Sequence, residues 1–232
     1  MKYNLASARD LVNSVPHWHH KFEIFPGVVT PGSYDPNFLS NKINFPSDLS
    51  NKRVLDIGAS DGFISLVARR AGAEVVAIDY RPKNGHGFEV MEKLSGYKFD
   101  YRQMNIYELS EKDVGLFDIV VFMGVLYHLP DMMRAMAIVR SVCRGQMYIE
   151  THCAVDLTPK IAAARYYRDD ELNKDITNFW SPNVACIRGM AHDCAFDLDS
   201  DETWGDRYFG SYTVNTVPSR RRKLDMAYNL LG

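Results

Sequence analysis

Short apolar runs alternate with stretches of helical period along most of this chain, and the alternation predicts its elements. Leu5, Ala8, Leu11, Val12 and Val15 recur at helical spacing until Pro16 stops the pattern. A Pro/Gly-punctuated stretch rich in aromatics then runs to about residue 46. Residues 53–57 read as a buried strand, followed by a helix over 61–71 that ends at Gly72, a suitable residue just past a helix C-terminus. A second strand covers 74–78, a two-faced helix Phe88 to Leu94, and a third strand 98–103. Phe117 to Met123 is a fourth buried strand, Asp131 to Val142 a helix, and Met147 to Glu150 a fifth strand. Residues 157–181 carry many charges and aromatics and read as an insertion. Asn183 to Ala195 has helical spacing, and Phe196-Asp197-Leu198 with 208–216 alternate like a closing hairpin.

This order predicts an α/β fold: a Rossmann-like, mostly parallel seven-stranded sheet with right-handed crossovers, helices on both faces and an antiparallel hairpin at the end. Residues 1–46 form an N-terminal extension placed to act as a lid, 47–217 the core domain with 157–181 near its site, and 218–232 a basic tail.

The chemistry concentrates where the first strand meets its helix, in Val54-Leu55-Asp56-Ile57-Gly58-Ala59-Ser60-Asp61-Gly62-Phe63. Gly58 and Gly62 let backbone approach a ligand without Cβ in the way. Asp56 closes the strand, in the crevice where open α/β sheets bind ligands. A dinucleotide site uses G-x-G-x-x-G and sets a pyrophosphate on the helix N-terminus. Here the spacing is G-x-x-x-G behind a carboxylate, which repels a pyrophosphate and attracts an ammonium. S-adenosylmethionine (SAM) has an amino-acid ammonium, an adenosine and no phosphate, so the turn reads as a SAM loop. Asp79 ends the next strand about 20 residues on, where a carboxylate accepts two ribose hydroxyls side by side. The expected finish of such a sheet is that of a class I methyltransferase.

Composition narrows the partners. At 232 residues and a net charge of -2, the chain gives no global electrostatic case for nucleic acid or an anionic membrane. No apolar run approaches the roughly 20 residues of a membrane span, and no signal-peptide core opens the chain, which predicts a cytoplasmic protein. Cys143, Cys153, Cys186 and Cys194 lack C-x-x-C spacing and read as reduced core thiols. His17, His19 and His20 have no Asp, Glu or Cys at ligand spacing, so aromatic packing is favoured over a metal site. The run Arg220-Arg221-Arg222-Lys223 reads as a solvated face.

The fourth strand runs into Met123-Gly124-Val125-Leu126-Tyr127-His128, where a transferred methyl would emerge. Together with Val54-Leu55-Asp56-Ile57-Gly58, Phe117-Asp118, Glu150-Thr151 and Phe179-Trp180-Ser181-Pro182-Asn183, this turn resembles the tRNA wobble-uridine methyl/carboxymethyltransferase family over roughly residues 50–200. The resemblance implies that Asp56, Gly58, Ala59, Ser60 and Gly62 hold the methionine part of SAM. It puts Asp79 and Tyr80 at the ribose and adenine face, Asn105 and Ile106 at the adenine edge, and Met123, Gly124 and Tyr127 near the sulfonium. Ser60 stands where the superfamily often has glycine, and the longer N-terminal domain of the wobble-uridine enzymes and their Trp/Lys-rich carboxy-SAM segment have no match. Methyl transfer is therefore the firmer implication and tRNA the weaker.

Methyl transfer from a sulfonium is an in-line displacement that demands alignment and exclusion of water. A hydroxyl acceptor also profits from a base. His128 is the first candidate, because imidazole titrates near neutrality, and His152 the second. Glu150 reads as satisfying backbone at the sheet's edge. The function expected is SAM-dependent methylation of an oxygen or nitrogen on a polar small molecule, releasing S-adenosylhomocysteine. The alternatives are a tRNA acceptor and a non-catalytic SAM-binding scaffold.

Overall fold

A computed structural model describes residues 3–216, so the Arg220–Lys223 run lies outside the described residues. The chain divides into two compact units, one reaching to Asn105 and the other starting at Ile106.

The first unit opens with helix α1, Leu5–Asn13, whose start is fixed by reciprocal bonds: Asn4 Oδ1 accepts from Ser7 N at 2.9 Å and Ser7 Oγ accepts from Asn4 N at 3.0 Å. Strands β1 (Glu23–Phe25) and β2 (Val28–Val29) pair antiparallel, and helix α2 spans Asn37–Ile43. Then come β3 (Arg53–Ile57), α3 (Phe63–Arg70), β4 (Glu74–Asp79), α4 (Gly87–Ser95) and β5 (Asp100–Gln103). The strands lie parallel in the order β3-β4-β5, with Leu55 opposite Val76 and Ile78 opposite Arg102.

The N-terminal segment is built into this unit's core. Ala8, Val12, Trp18, Phe22, Ile24 and Val28 share one buried cluster with Phe63, Leu66, Phe88 and Met91. Each large side chain so buried contributes about 1.5–3 kcal/mol. Trp18 keeps its ring N–H satisfied by donating to the Val12 carbonyl at 2.9 Å. Strands of two or three residues and a one-turn-longer helix leave too little periodicity to read, which is why β1, β2 and α2 escape sequence patterning.

The second unit begins with a 3-10 turn at Ile106–Glu108 and a short helix α5, Glu111–Val114. Strand β6 is Phe117–Met123, a 3-10 turn covers Leu126–His128, and helix α6 is Met132–Val142, capped by Asp131. Strand β7 is Cys143–His152, β8 Ala164–Tyr166, β9 Trp180–Pro182, α7 Val184–Asp193, β10 Phe196–Trp204 and β11 Arg207–Val214. The order β10-β11-β7-β6 joins β6 and β7 in parallel and the rest antiparallel. The seven strands β3 to β7, β10 and β11 make the mostly parallel Rossmann-like sheet that the sequence predicts.

Several boundaries shift. Strand β7 has ten residues, not the four of its apolar run, because two partners share it and Gly145 leaves room for the Asp118 carbonyl. Glu150 consequently sits inside the sheet, with β6 on one side and β11 on the other, and not at its edge. The 157–181 segment contains β8, and β9 begins at its end; the two pair antiparallel, Ala164 opposite Pro182. Strand β10 ends its order, with Asp197, Asp199 and Glu202 turned to solvent.

Candidate active site

In the first unit the glycine turn follows β3 directly. The Ile78 carbonyl accepts from both Gly58 N (2.9 Å) and Ala59 N (3.1 Å), which bends the chain back over the end of β4. Gly58 has φ of +77° and Gly62 of +81°. Ser60 adopts φ of +50°, a left-handed conformation that costs an L-residue roughly 1–2 kcal/mol. Its compensation is local, since Ser60 N donates to Asp79 Oδ2 at 2.9 Å. A Cβ at Gly62 would strike the Met91 Cε and lie 2.9 Å from the Phe88 ring. The packing of α3 on α4 therefore adds its own demand for glycine at position 62.

Three carboxylates converge around this turn. Asp56 is 3% exposed, its Oδ2 accepts from Ser65 Oγ at 2.6 Å, and burial pushes its pKa up to about 6. Asp79 is buried too, with Oδ1 accepting from Arg81 N at 3.0 Å and the Arg81 guanidinium beside it. Its roughly four acceptor sites are met by Ser60 N, Arg81 N and two long contacts from the Arg81 guanidinium, Nε at 3.3 Å and Nη2 at 3.4 Å, so a diol would have to take the place of the guanidinium at Asp79. The ring of Tyr80 next to it is three-quarters exposed, open to stacking. Asn105 is exposed at the end of this unit, while Ile106 opens the next one buried in its core.

The third carboxylate, Asp61, lies in the glycine turn but is given no role by its sequence position. Its Oδ2 accepts from the backbone N–H groups of His19 (2.7 Å) and His20 (2.8 Å), and the His20 ring approaches at 3.6 Å. Burial works against its charge, but the bonds from His20 and His19 outweigh it and hold the pKa below the usual range. The histidine stretch is thereby fastened to the glycine turn, and His19 stacks on Tyr34 with ring centres 5.7 Å apart. Among the described residues no group of three His, Cys, Asp or Glu side chains is arranged to hold a metal.

In the second unit the end of β6 and the following turn gather the other predicted residues. Gly124, at φ of +67°, donates its N–H to the Glu150 carbonyl (3.0 Å) and to Glu150 Oε2 (3.1 Å). Glu150 also takes a two-pronged contact from Arg207, Nε to Oε1 and Nη2 to Oε2, the latter at 2.7 Å. Burial opposes the Arg207 charge, and Glu150 outweighs it, raising the guanidinium's pKa. The same guanidinium lies 4.9 Å from the centre of the Tyr127 ring, a cation–π contact. Met123 is partly buried opposite Glu150.

The two histidines differ. His152 is buried with Nδ1 at 2.5 Å from Ser181 Oγ and Nε2 at 3.0 Å from Asp206 Oδ2, the latter without hydrogen-bond alignment. Both ring nitrogens face protein, which suits a structural clamp between β7 and β9 better than proton transfer to a ligand. His128 engages protein through Nδ1 only, with Thr177 Oγ1 at 2.9 Å and the Thr177 carbonyl at 3.2 Å. Its Nε2 has no protein partner among the described residues. Burial lowers the His128 pKa, with Thr177 and Asp175 acting in the opposite direction. Arg207, Thr177, Asp175, Ser181 and Asp206 lie 29 to 80 positions from the residues they serve, so no local spacing announces them. Only Asp61, inside the loop itself, offered a readable signal. All four cysteines are free thiols.

Comparison with known proteins follows the same lines. A family profile described as a methyltransferase domain matches residues 32–185. A ubiquinone biosynthesis O-methyltransferase of Xanthomonas oryzae pv. oryzae is 35% identical over 114 residues, 45% of this chain and 44% of that protein. Another, from Bordetella parapertussis, is 41% identical over 88 residues, 36% of this chain and 34% of its own length. The match therefore spans less than half the length of these relatives. Among solved structures, the N-terminal domain of EvdMO1 with SAH bound superposes with a TM-score of 0.68 at 17% identity, covering 92% of this chain and 97% of that one. The 1,6-didemethyltoxoflavin-N1-methyltransferase of Burkholderia thailandensis, with its substrate and S-adenosylhomocysteine bound, gives 0.57 at 14% identity, covering 77% and 76%. At these identities the likeness is one of fold.

Proposed function

We propose that this chain, which belongs to the methyltransferase domain family, is a SAM-dependent methyltransferase that methylates an oxygen of a polar small molecule. The observation that carries the cofactor is the buried Asp56 carboxylate beside an open Tyr80 ring at the ends of two adjacent parallel strands. Asp56 holds the amino-acid ammonium, Asp79 the ribose diol, and Tyr80 covers one face of the adenine. Gly58, Ala59 and Ser60 shape the loop around the methionine part, with Asn105 and Ile106 toward the adenine edge. The resemblance puts Met123, Gly124 and Tyr127 near the reacting end. When bound, the cofactor supplies an electrophilic methyl on sulfur, and the protein's part is to align and desolvate.

Oxygen is favoured over nitrogen on two grounds. The curated relatives are named as O-methyltransferases. A hydroxyl acceptor also needs a base, and the free Nε2 of His128 is suited to take its proton. The wobble-uridine resemblance implies tRNA instead, and the relatives returned by comparison do not favour it. No helix among the described residues is long and apolar enough to cross a membrane.

Parallel calorimetric titrations with SAM, S-adenosylhomocysteine, carboxy-SAM and NADH test the cofactor. Binding of the first two and none of NADH is expected; no binding by any would overturn the SAM assignment. A panel of phenols, sugars and unmodified tRNA assayed with SAM tests the acceptor. With an accepted phenol or sugar, His128→Ala should lower turnover about 10²–10⁴-fold at unchanged SAM affinity. Full activity in that variant removes His128 as the base.

A further inference from the structure

We propose that Asp175 and Thr177 are positioning residues that fix the proton of His128 on Nδ1 and so keep the Nε2 lone pair available to an acceptor hydroxyl. The inference deepens the reading of His128 as base and rests on it for its function, but its geometry stands by itself.

The available hydrogens fix the tautomer. Asp175 Oδ1 accepts from Thr177 N at 2.8 Å and lies 2.7 Å from Thr177 Oγ1. A carboxylate has nothing to donate, so the single hydroxyl hydrogen of Thr177 is committed to it. Toward the imidazole, 2.9 Å away, the hydroxyl oxygen can then only accept. The second atom facing Nδ1 is the Thr177 carbonyl oxygen at 3.2 Å, which also only accepts. Two acceptors at one ring nitrogen demand that it carry the proton, and a neutral ring then has its lone pair at Nε2.

The relay is held in place from both sides. Phe179 N donates to the Tyr127 carbonyl at 2.9 Å, and Trp180 Nε1 donates to the Pro130 carbonyl at 3.1 Å. The segment carrying Thr177 is thus bonded to the turn carrying His128 on either flank of that residue. The Tyr127 ring, 4.1 Å from the imidazole centre to centre, limits the ring's rotation. The groups that bear on its charge are Asp175, which favours the protonated form, and Arg207 on β11, which disfavours it.

Nitrogen-resolved NMR of the full chain labelled with ¹⁵N-histidine tests this without turnover, the spectrum of His128→Gln assigning the resonances. Above its titration point, neutral His128 is expected to show a protonated Nδ1 and an unprotonated Nε2; the opposite tautomer overturns the proposal. Asp175→Ala releases the hydroxyl hydrogen to turn toward the ring, and should shift the His128 Nδ1 resonance toward the unprotonated position. Asp175→Asn keeps an oxygen able to accept the same two bonds, so it should retain the Nδ1–H form while lowering the titration point through loss of the negative charge. Should Asp175→Ala leave tautomer and titration point unchanged, the relay is refuted. If the tautomer follows expectation while His128→Ala retains full turnover, the base assignment fails and the relay does not.

Discussion

Ser65 Oγ donates to Asp56 Oδ2 at 2.6 Å, and the carboxylate is otherwise enclosed by the core. The pair sets the titration of the group assigned to the cofactor's ammonium.

Because burial holds the Asp56 pKa at about 6, its charge is lost as the pH falls through that value. An ammonium ligand favours the ionised form, so SAM affinity should be full well above pH 6 and decline below it. Ser65→Ala removes a bond that stabilises the charge and should move the midpoint upward. Calorimetry from pH about 5 to about 8 reads both, and a flat profile would contradict the Asp56 contact.

Gly62→Ala combines a left-handed backbone with a methyl driven against Met91 and Phe88. A loss of about 2–4 kcal/mol is expected from strain plus overpacking. Urea unfolding measures it, and a loss below about 1 kcal/mol would show that α3 and α4 separate easily.

Arg207→Leu strips the partner from the buried Glu150 carboxylate. The cost of an uncompensated buried charge is about 3–5 kcal/mol, nearer the lower figure here because Arg207 is partly exposed. Adding Glu150→Gln should recover a large part of it in a double-mutant cycle read by urea unfolding. Additive losses would show that the two side chains act independently.

Asp61→Ala leaves the N–H groups of His19 and His20 without their acceptor, at about 1–3 kcal/mol for each that stays buried. Trypsin should then cut after the exposed Lys21 faster than in the parent protein. Equal cleavage rates would mean that the aromatic packing of Trp18 and Phe22 alone secures the segment.

How far the sequence reaches is clear from these residues. Val54–Ile57 and Phe117–Met123 announce buried strands because their apolar runs are uninterrupted, and the turn after β3 shows its carboxylate and glycines in one decapeptide. Asp56, Asp79 and the Met123–His128 turn were legible for the same reason: strand ends are local. Arg207 was not, since its partner Glu150 is 57 positions away and is reached only by folding β11 back on β7. The N-terminal segment misled in another way. Its prolines and glycines mark it as irregular, and nothing local reveals that Trp18 and Phe22 are core. His152 looked like a base because it ends a strand, and the side chains of Ser181 and Asp206 that occupy it come from elsewhere.

The acidic strand β10 has a consequence for how the molecule meets its own kind. Among the described residues no strand pairs with its outer side, and an open row of backbone donors and acceptors invites strand addition. Asp197, Asp199 and Glu202 face solvent from that strand, while Asp201 is paired with Arg188, and a second copy laid alongside would set the solvent-facing carboxylates against one another. The border of the sheet therefore carries its own electrostatic fence against self-recognition.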